Sequence, residues 1–173
     1  MRINYLLILP LAVVSASPVA AQELFGGLYA HAVNTPLSLD SSKESGIDLA
    51  LGFRGGPLFH GLRLQPYLFG ALNSKGGTGY AAVGLSRKFG DRLFIRPGLG
   101  LAVHNGSAAR FEVPGRIAFG SRILFEPELG IGARIARRMT LEASWVHMSH
   151  AQLFGGQNPG IDNIGGRLSI ALP

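Results

Sequence analysis

Residues 93–104, LFIRPGLGLAVH, alternate between two kinds of position for their whole length. Leu93, Ile95, Leu99, Leu101 and Val103 share one face, and Arg96, Gly98, Gly100, Ala102 and His104 share the other. A period of two is the mark of a β-strand whose faces meet different surroundings. The pattern recurs at 122–136, where Ile123, Phe125, Leu129, Ile131, Ala133 and Ile135 oppose Glu126, Glu128, Gly130, Gly132 and Arg134. It recurs again at 46–54, where Ile47, Leu49, Leu51 and Phe53 oppose Asp48, Gly52 and Arg54. Reading the whole chain this way predicts eight strands, near 23–33, 46–54, 62–72, 79–88, 92–104, 122–136, 139–149 and 162–172. The third, around LRLQPYLFGAL, alternates least cleanly and its register is the weakest.

The question is which face is the inside. In a soluble sandwich the apolar face is the core and the polar face meets water. Here the polar faces are dense in glycine and carry both signs of charge, as an enclosed surface would. Past the N-terminus no apolar run approaches the ~18 residues that a membrane helix needs. With 25 glycines, 15% charged and 47% hydrophobic residues, the composition also disfavours helices. An even number of strands of about 9–11 residues with alternating faces suits a barrel in an outer membrane. Only closure satisfies every backbone group in lipid, and eight strands leave an interior that side chains just fill. The predicted class is therefore all-β: an eight-stranded antiparallel transmembrane β-barrel of outer-membrane type. Asp48, Arg54, Arg96, Glu126, Glu128, Arg134, Glu142 and Arg167 then form an internal network of paired charges, with the internal glycines leaving room for the arginines.

The N-terminus gives the compartment. Arg2 precedes an apolar run over about 5–14 and small residues up to Val19-Ala20-Ala21. That is the layout of a secretory signal peptide over 1–21, leaving 22–173 as one barrel domain. There is no cysteine, so neither a disulfide nor a thiolate metal site is available. The formal charge of +6 points, in an exported chain, to anionic lipid or glycolipid phosphate and not to nucleic acid. With the N-terminus on the periplasmic side, the outward joins at about 34–45, 105–121 and 150–161 are long, the join at 74–79 is short but turn-like, and the inward joins are short with 55–61 the longest of them, a pattern that suits barrels of this kind.

The densest chemistry lies at the end of the chain, in WVHMSHAQLFGGQNPGID, residues 145–162. Met139, Leu141, Ala143 and Trp145 belong to the outward face of the seventh strand, and His147 and Ser149 continue it. Asp162 belongs to the outward series of the eighth strand, with Ile164, Leu168, Ile170 and Leu172. All three groups are therefore expected on the lipid-facing side at the outer end, with Trp145 in the interfacial aromatic girdle. Serine is a weak nucleophile until a base takes its proton. His-x-Ser puts base and nucleophile on one strand face, and a neighbouring acid fixes the imidazole tautomer. Ser149, His147 and Asp162 thus make a candidate hydrolytic triad for a lipid ester. A solvated polar collar is the rival reading of the same residues.

The stretch resembles the C-terminal motif of the lipid A 3-O-deacylase family (PagL-like proteins): His147-Met148-Ser149-His150-Ala151, then Asn158-Pro159-Gly160, then Ile161-Asp162. LFEPELGIGARI, 124–135, is similar to the strand preceding that motif. The resemblance implies an eight-stranded outer-membrane barrel that hydrolyses the ester-linked acyl chain at the 3 position of lipid A, with lipid A or lipopolysaccharide as its partner. It implies Ser149 as nucleophile, His147 as base and Asp162 as third member. Two departures stand out. The family more often has glutamate where Asp162 stands, and an asparagine of the oxyanion hole where His150 stands. His150, Asn158 and Gly160 are taken as residues that shape the site, with backbone amides near Ser149 and Gly155-Gly156 as further oxyanion donors.

Other features are plainer. Arg110, Arg116 and Arg122 in the third outward join are expected to contact lipid A phosphates. His31, His60 and His104 are too scattered for a metal ligand set, and no cofactor is expected. A homodimer is compatible with the sequence. Two readings compete with the esterase: a non-enzymatic barrel of structural or adhesive role, and a soluble β-barrel lipid carrier with its apolar faces inward.

Overall fold

The computed structural model describes residues 22–38, 43–59, 61–153 and 158–173; the segment read as a signal peptide lies outside them. The strands are β1 Glu23–Ala30, β2 Ile47–Arg54, β3 Gln65–Asn73, β4 Tyr80–Ser86, β5 Phe89–Gly90, β6 Leu93–His104, β7 Ile123–Ala136, β8 Met139–Met148 and β9 Ile161–Ala171. Each pairs antiparallel with its neighbours in the order β4-β3-β2-β1-β9-β8-β7-β6-β5, and β4 also pairs with β6, which closes the ring. The barrel is thus eight long strands, with the two-residue β5 extending β4 along the inner end of β6. All eight predicted strands are present. The first ends at Ala30, short of the predicted 33, because Ala32 turns with φ 53° and His31 leaves the ladder for a cluster described below. The third begins at Gln65, later than predicted.

Exposure alternates as the sequence requires, with the apolar face outside. Leu49, Leu51, Leu72, Leu93, Leu101 and Ile131 are all exposed on the outer surface, Leu93 at 74%. In water such a continuous apolar belt would be a severe liability; in lipid it is the solvated face. A carrier with inward apolar faces is excluded by this arrangement.

The interior is packed. Arg96 donates from Nε to Glu142 at 2.9 Å and also pairs with Glu128. Arg167 reaches Glu128 at 3.0 Å, donates to the Tyr29 hydroxyl at 2.9 Å and lies over the Phe25 ring at 4.4 Å. Arg54 pairs with Glu23 at 2.6 Å, and the Tyr67 hydroxyl donates to Glu126. Two expectations need correction. Arg134 is not internal: it is half-exposed at the inner end and pairs with Asp91, because β7 runs past the barrel mouth there. The interior glycines make room chiefly for glutamates and aromatic rings, not for arginines. A Cβ on Gly130 would stand 2.6 Å from the Glu142 carboxyl carbon, and one on Gly98 would stand 2.7 Å from Glu128 Cγ.

A second buried ionic cluster ties the outer connections to the barrel. His31 contacts Asp48 through Nδ1 at 2.9 Å and Glu44 through Nε2 at 3.1 Å. Glu44 also accepts from the amides of Thr78 at 2.6 Å and Ile117 at 3.2 Å, so one carboxylate gathers three outer connections. Burial alone would push the His31 imidazolium down, but hydrogen bonds to Asp48 and Glu44 outweigh it and raise it to about 9. Its folded value lies above its ordinary 6.5. The stabilisation is therefore complete below the ordinary value and disappears as pH rises through about 9. Hydrogen exchange should show the Thr78 and Ile117 amides losing protection across that range beyond the intrinsic base-catalysed rate. His31→Gln should show weakened protection already at neutral pH; unchanged protection in both cases would contradict the assignment.

Candidate active site

The outer ends of β8 and β9 bring the predicted catalytic residues together by register. His147 stands directly opposite Asp162 in the ladder, where Cβ atoms are about 4.5–5.5 Å apart. At that spacing aspartate is long enough, and the extra methylene of a glutamate is not needed. His147 Nδ1 lies 2.9 Å from Asp162 Oδ1, and Nε2 lies 3.0 Å from Ser149 Oγ. The carboxylate can only accept, so it fixes the proton on Nδ1 and leaves the Nε2 lone pair facing the serine hydroxyl. Ser149 is held one step beyond β8 by backbone bonds in both directions with Phe125, at 2.8 and 3.1 Å.

Asp162 is the most heavily supported group in the site. Besides His147 it accepts from the Trp145 indole nitrogen at 2.7 Å on Oδ1 and from the Thr35 hydroxyl on Oδ2. The Trp145 and His147 rings stack at 5.9 Å and 26°. The Thr35 hydroxyl accepts in turn from the Leu37 amide at 3.1 Å, and the Val33 amide donates to the Asp162 carbonyl at 2.7 Å. The segment after β1 is therefore laced across the head of β9.

This modifies the predicted exposure. The backbone register places His147, Ser149 and Asp162 on the outward side, as expected. They are not bare to lipid, however: Asp162 is fully buried and His147 is 8% exposed, with Thr35 and Trp145 closing on Asp162 and the Trp145 ring stacked on His147. Ser149 remains partly exposed at the edge of this cover. Trp145 is more than a girdle residue, and its position two before His147 on the same face was a visible signal. Thr35 had no such signal, since it reaches the site from 127 residues away in sequence.

The residues expected to shape the site divide. Asn158 Oδ1 accepts from the His150 amide at 3.0 Å and so pins the turn after Ser149. Ala151 and Gln152 in that turn take left-handed φ values of 49° and 60°, a conformation that non-glycine residues hold only when the surroundings enforce it. Gly160, at φ 67°, passes so close that a Cβ there would lie 3.0 Å from both His147 Cε1 and the Leu37 carbonyl oxygen. The His150 side chain is buried. The backbone amides of Ser149 and His150 are both engaged, by Phe125 and Asn158, so neither is free to hold an oxyanion as drawn from the sequence. Gly155 and Gly156 lie outside the described residues.

The three arginines of the third outward connection are dispersed. Arg110 and Arg116 are exposed, whereas Arg122 donates to the carbonyls of His104 at 3.0 Å and Gly106 at 2.7 Å. Among the described residues no group of three or more His, Cys, Asp or Glu side chains is arranged to hold a metal. His60 is outside them.

A family model described as lipid A 3-O-deacylase (PagL) matches residues 27–171. The chain belongs to this family. The PagL family comprises lipid A deacylases, and membership makes this chain an outer-membrane β-barrel of a hydrolase family. Among solved structures it is similar to the crystal structure of the outer membrane enzyme PagL, with a TM-score of 0.61 and 21% identity over 87% of this chain and 99% of the other. It is similar in fold to a de novo designed transmembrane β-barrel, with a TM-score of 0.55 and 9% identity over 91% of this chain and 100% of the design. Neisserial surface protein A shares the fold at a TM-score of 0.53 and 12% identity over 87% of this chain and 96% of its own. No curated protein sequence matches the chain.

The hydrogen-bond order predicts that neutral His147 carries its proton on Nδ1. Nitrogen NMR of the labelled imidazole should report that tautomer, with Asp162→Asn redistributing it. An Nε2–H tautomer in the unaltered protein would contradict the geometry.

Proposed function

We propose that this protein is an outer-membrane serine esterase that removes the 3-position acyl chain of lipid A, with Ser149 as nucleophile, His147 as general base and Asp162 as the group that orients and neutralises the imidazolium. The observation that carries the reading is the unbroken chain Asp162–His147–Ser149, at 2.9 and 3.0 Å, on the outward side of the barrel. Membership of the PagL family supplies the substrate class.

The reaction follows from these contacts. His147 Nε2 takes the Ser149 proton as Oγ attacks the ester carbonyl carbon. The tetrahedral oxyanion collapses, the glucosamine oxygen leaves with the proton from the imidazolium, and an acyl-serine remains. Water, activated by the same imidazole, then attacks the acyl-serine and releases the 3-hydroxy fatty acid and free Ser149. The engaged amides of Ser149 and His150 shift the oxyanion duty to side chains, and Asn158, whose oxygen is fixed by the His150 amide, is the candidate donor through its NH2 group. One such donor is worth about 3–4 kcal/mol of transition-state stabilisation. Lower on the same outer face, Gly26 and Gly166 leave an apolar groove of about 640 Å³ between Leu28, Leu141 and Leu168, a surface suited to an acyl chain.

The exposed Arg110 and Arg116 are proposed to meet the lipid A phosphates, with Arg122 serving mainly to hold its own connection. No cofactor is required by this chemistry, and the reading holds for a monomer or a homodimer.

Ser149→Ala should leave the barrel folded and abolish release of the 3-hydroxy fatty acid, and Asp162→Asn should slow it by about 10³–10⁴-fold. Mass analysis of lipid A from cells carrying each variant reads this directly. Lipid A that is unaltered even by the native protein would favour a structural barrel, and full activity in Ser149→Ala would remove that residue from the mechanism.

A further inference from the structure

The end of the barrel opposite the triad holds a cavity of about 590 Å³ whose chemistry the esterase reading leaves unused. Cations dominate its wall: Arg63, Arg87, Lys88, Arg134, Arg137 and Arg138. Of the lining side chains only Glu23 and Asp91 are acidic. Both are already committed, Glu23 to Lys88 at 2.5 Å and Arg54 at 2.6 Å, and Asp91 to Arg134. Among the described residues no carboxylate lies within ion-pair distance of Arg63, Arg87, Arg137 or Arg138. Behind Glu23, the fully buried Arg54 has Nε and Nη2 without an acceptor, so the positive field continues into the barrel.

These cations come from three separate connections: Arg63 between β2 and β3, Arg87 and Lys88 between β4 and β5, and Arg137 and Arg138 between β7 and β8. A single run of basic residues would be a solvated tail; convergence of three turns on one concave mouth is a built arrangement. Two of the cations are oriented by rings, Arg87 over Phe89 at 4.5 Å and Lys88 over Phe94 at 4.9 Å. Gly90, at φ 103°, makes the tight turn that carries Arg87 and Lys88 to the mouth; a Cβ there would lie 2.1 Å from the Leu93 carbonyl oxygen. Uncompensated like charges around a concavity repel one another and focus a strong positive potential. An anion relieves that repulsion, and guanidinium forks match phosphate oxygens in charge and shape. Two of the turns at this end, after β4 and between β7 and β8, are short, as the periplasmic turns of barrels of this type are. Leu93 and Ile135 are exposed apolar residues on the outer flank of this end, next to which lipid would pack.

We propose that the inner mouth of the barrel is a phosphate-binding site formed by Arg63, Arg87, Arg137 and Arg138, filled by the headgroup phosphate of an anionic phospholipid or by a free phosphate anion. The site stands about 30 Å from His147 along β8, nine residues from Arg138 at about 3.3 Å per residue, and does not depend on the esterase reading.

The test uses the purified full barrel in two arms. In one, the protein is reconstituted in nanodiscs of mixed phosphatidylcholine and phosphatidylglycerol, and native mass spectrometry reads which lipid it retains. In the other, titration calorimetry of the detergent-solubilised protein uses inorganic phosphate at low ionic strength. Preferential retention of phosphatidylglycerol alone assigns the site to a headgroup; binding of inorganic phosphate alone assigns it to a free anion; both together support one site open to either. In any supporting case Arg87→Gln with Arg137→Gln and Arg138→Gln should weaken binding by about tenfold or more per guanidinium removed, whereas Lys75→Gln, at an exposed outer connection, should not. If the triple variant fails to fold, Arg137→Gln alone, on an exposed turn, is read in the same way. No selective binding in either arm, or equal binding by native and altered inner mouths, would overturn the proposal.

Discussion

Arg96, enclosed by Glu128 and Glu142, decides where chemistry can happen in this protein. With Arg167, Tyr29, Tyr67 and Glu126 it fills the barrel with a paired lattice of charge and aromatic rings. Removing one partner of such a lattice would leave an uncompensated buried ion at a cost of about 3–5 kcal/mol. No substrate can thread an interior filled in this way. Among the described residues, the surfaces left for the proposed lipid substrate are the outer belt and the two rims, and Ser149, His147 and Asp162 lie where the belt meets the outer rim.

The site is then a consequence of register. Antiparallel pairing sets His147 opposite Asp162, and the alternation of the strand carries Ser149 to the same side. Thr35 and Trp145 complete the carboxylate's shell from two other directions. The result is a buried carboxylate and imidazole with a hydroxyl at the edge, an arrangement that would keep the proposed proton relay out of bulk water and the hydroxyl within reach of a substrate. The same outer end is tied down by His31, Glu44 and Asp48, so the segment that covers Asp162 is itself anchored.

Much of this was legible in the sequence. The alternation of 93–104 and 122–136 set the strands, and the two-residue spacings set the shared face of His147 and Ser149. What the sequence could not show were facts of closure and distance. Thr35 reaches Asp162 only because β1 pairs with β9. Arg134 obeys the inward alternation but lies beyond the barrel mouth, where inward no longer means buried. The interior glycines were recognisable as spacers, yet their partners are glutamates and rings, because cross-strand neighbours and not chain neighbours occupy the space. That aspartate can stand where the family more often has glutamate follows only from the register, which sets Asp162 directly opposite His147.

The account stands on Ser149 attacking an acyl ester from the outer side of the barrel. Rapid quenching of the protein with lipid A, followed by peptide mass analysis, reads that step directly. The account predicts a 3-hydroxyacyl adduct on the peptide carrying Ser149, accumulating before fatty acid is released. An adduct on another residue, or deacylated lipid A formed with no acyl-serine intermediate at any quench time, would contradict it.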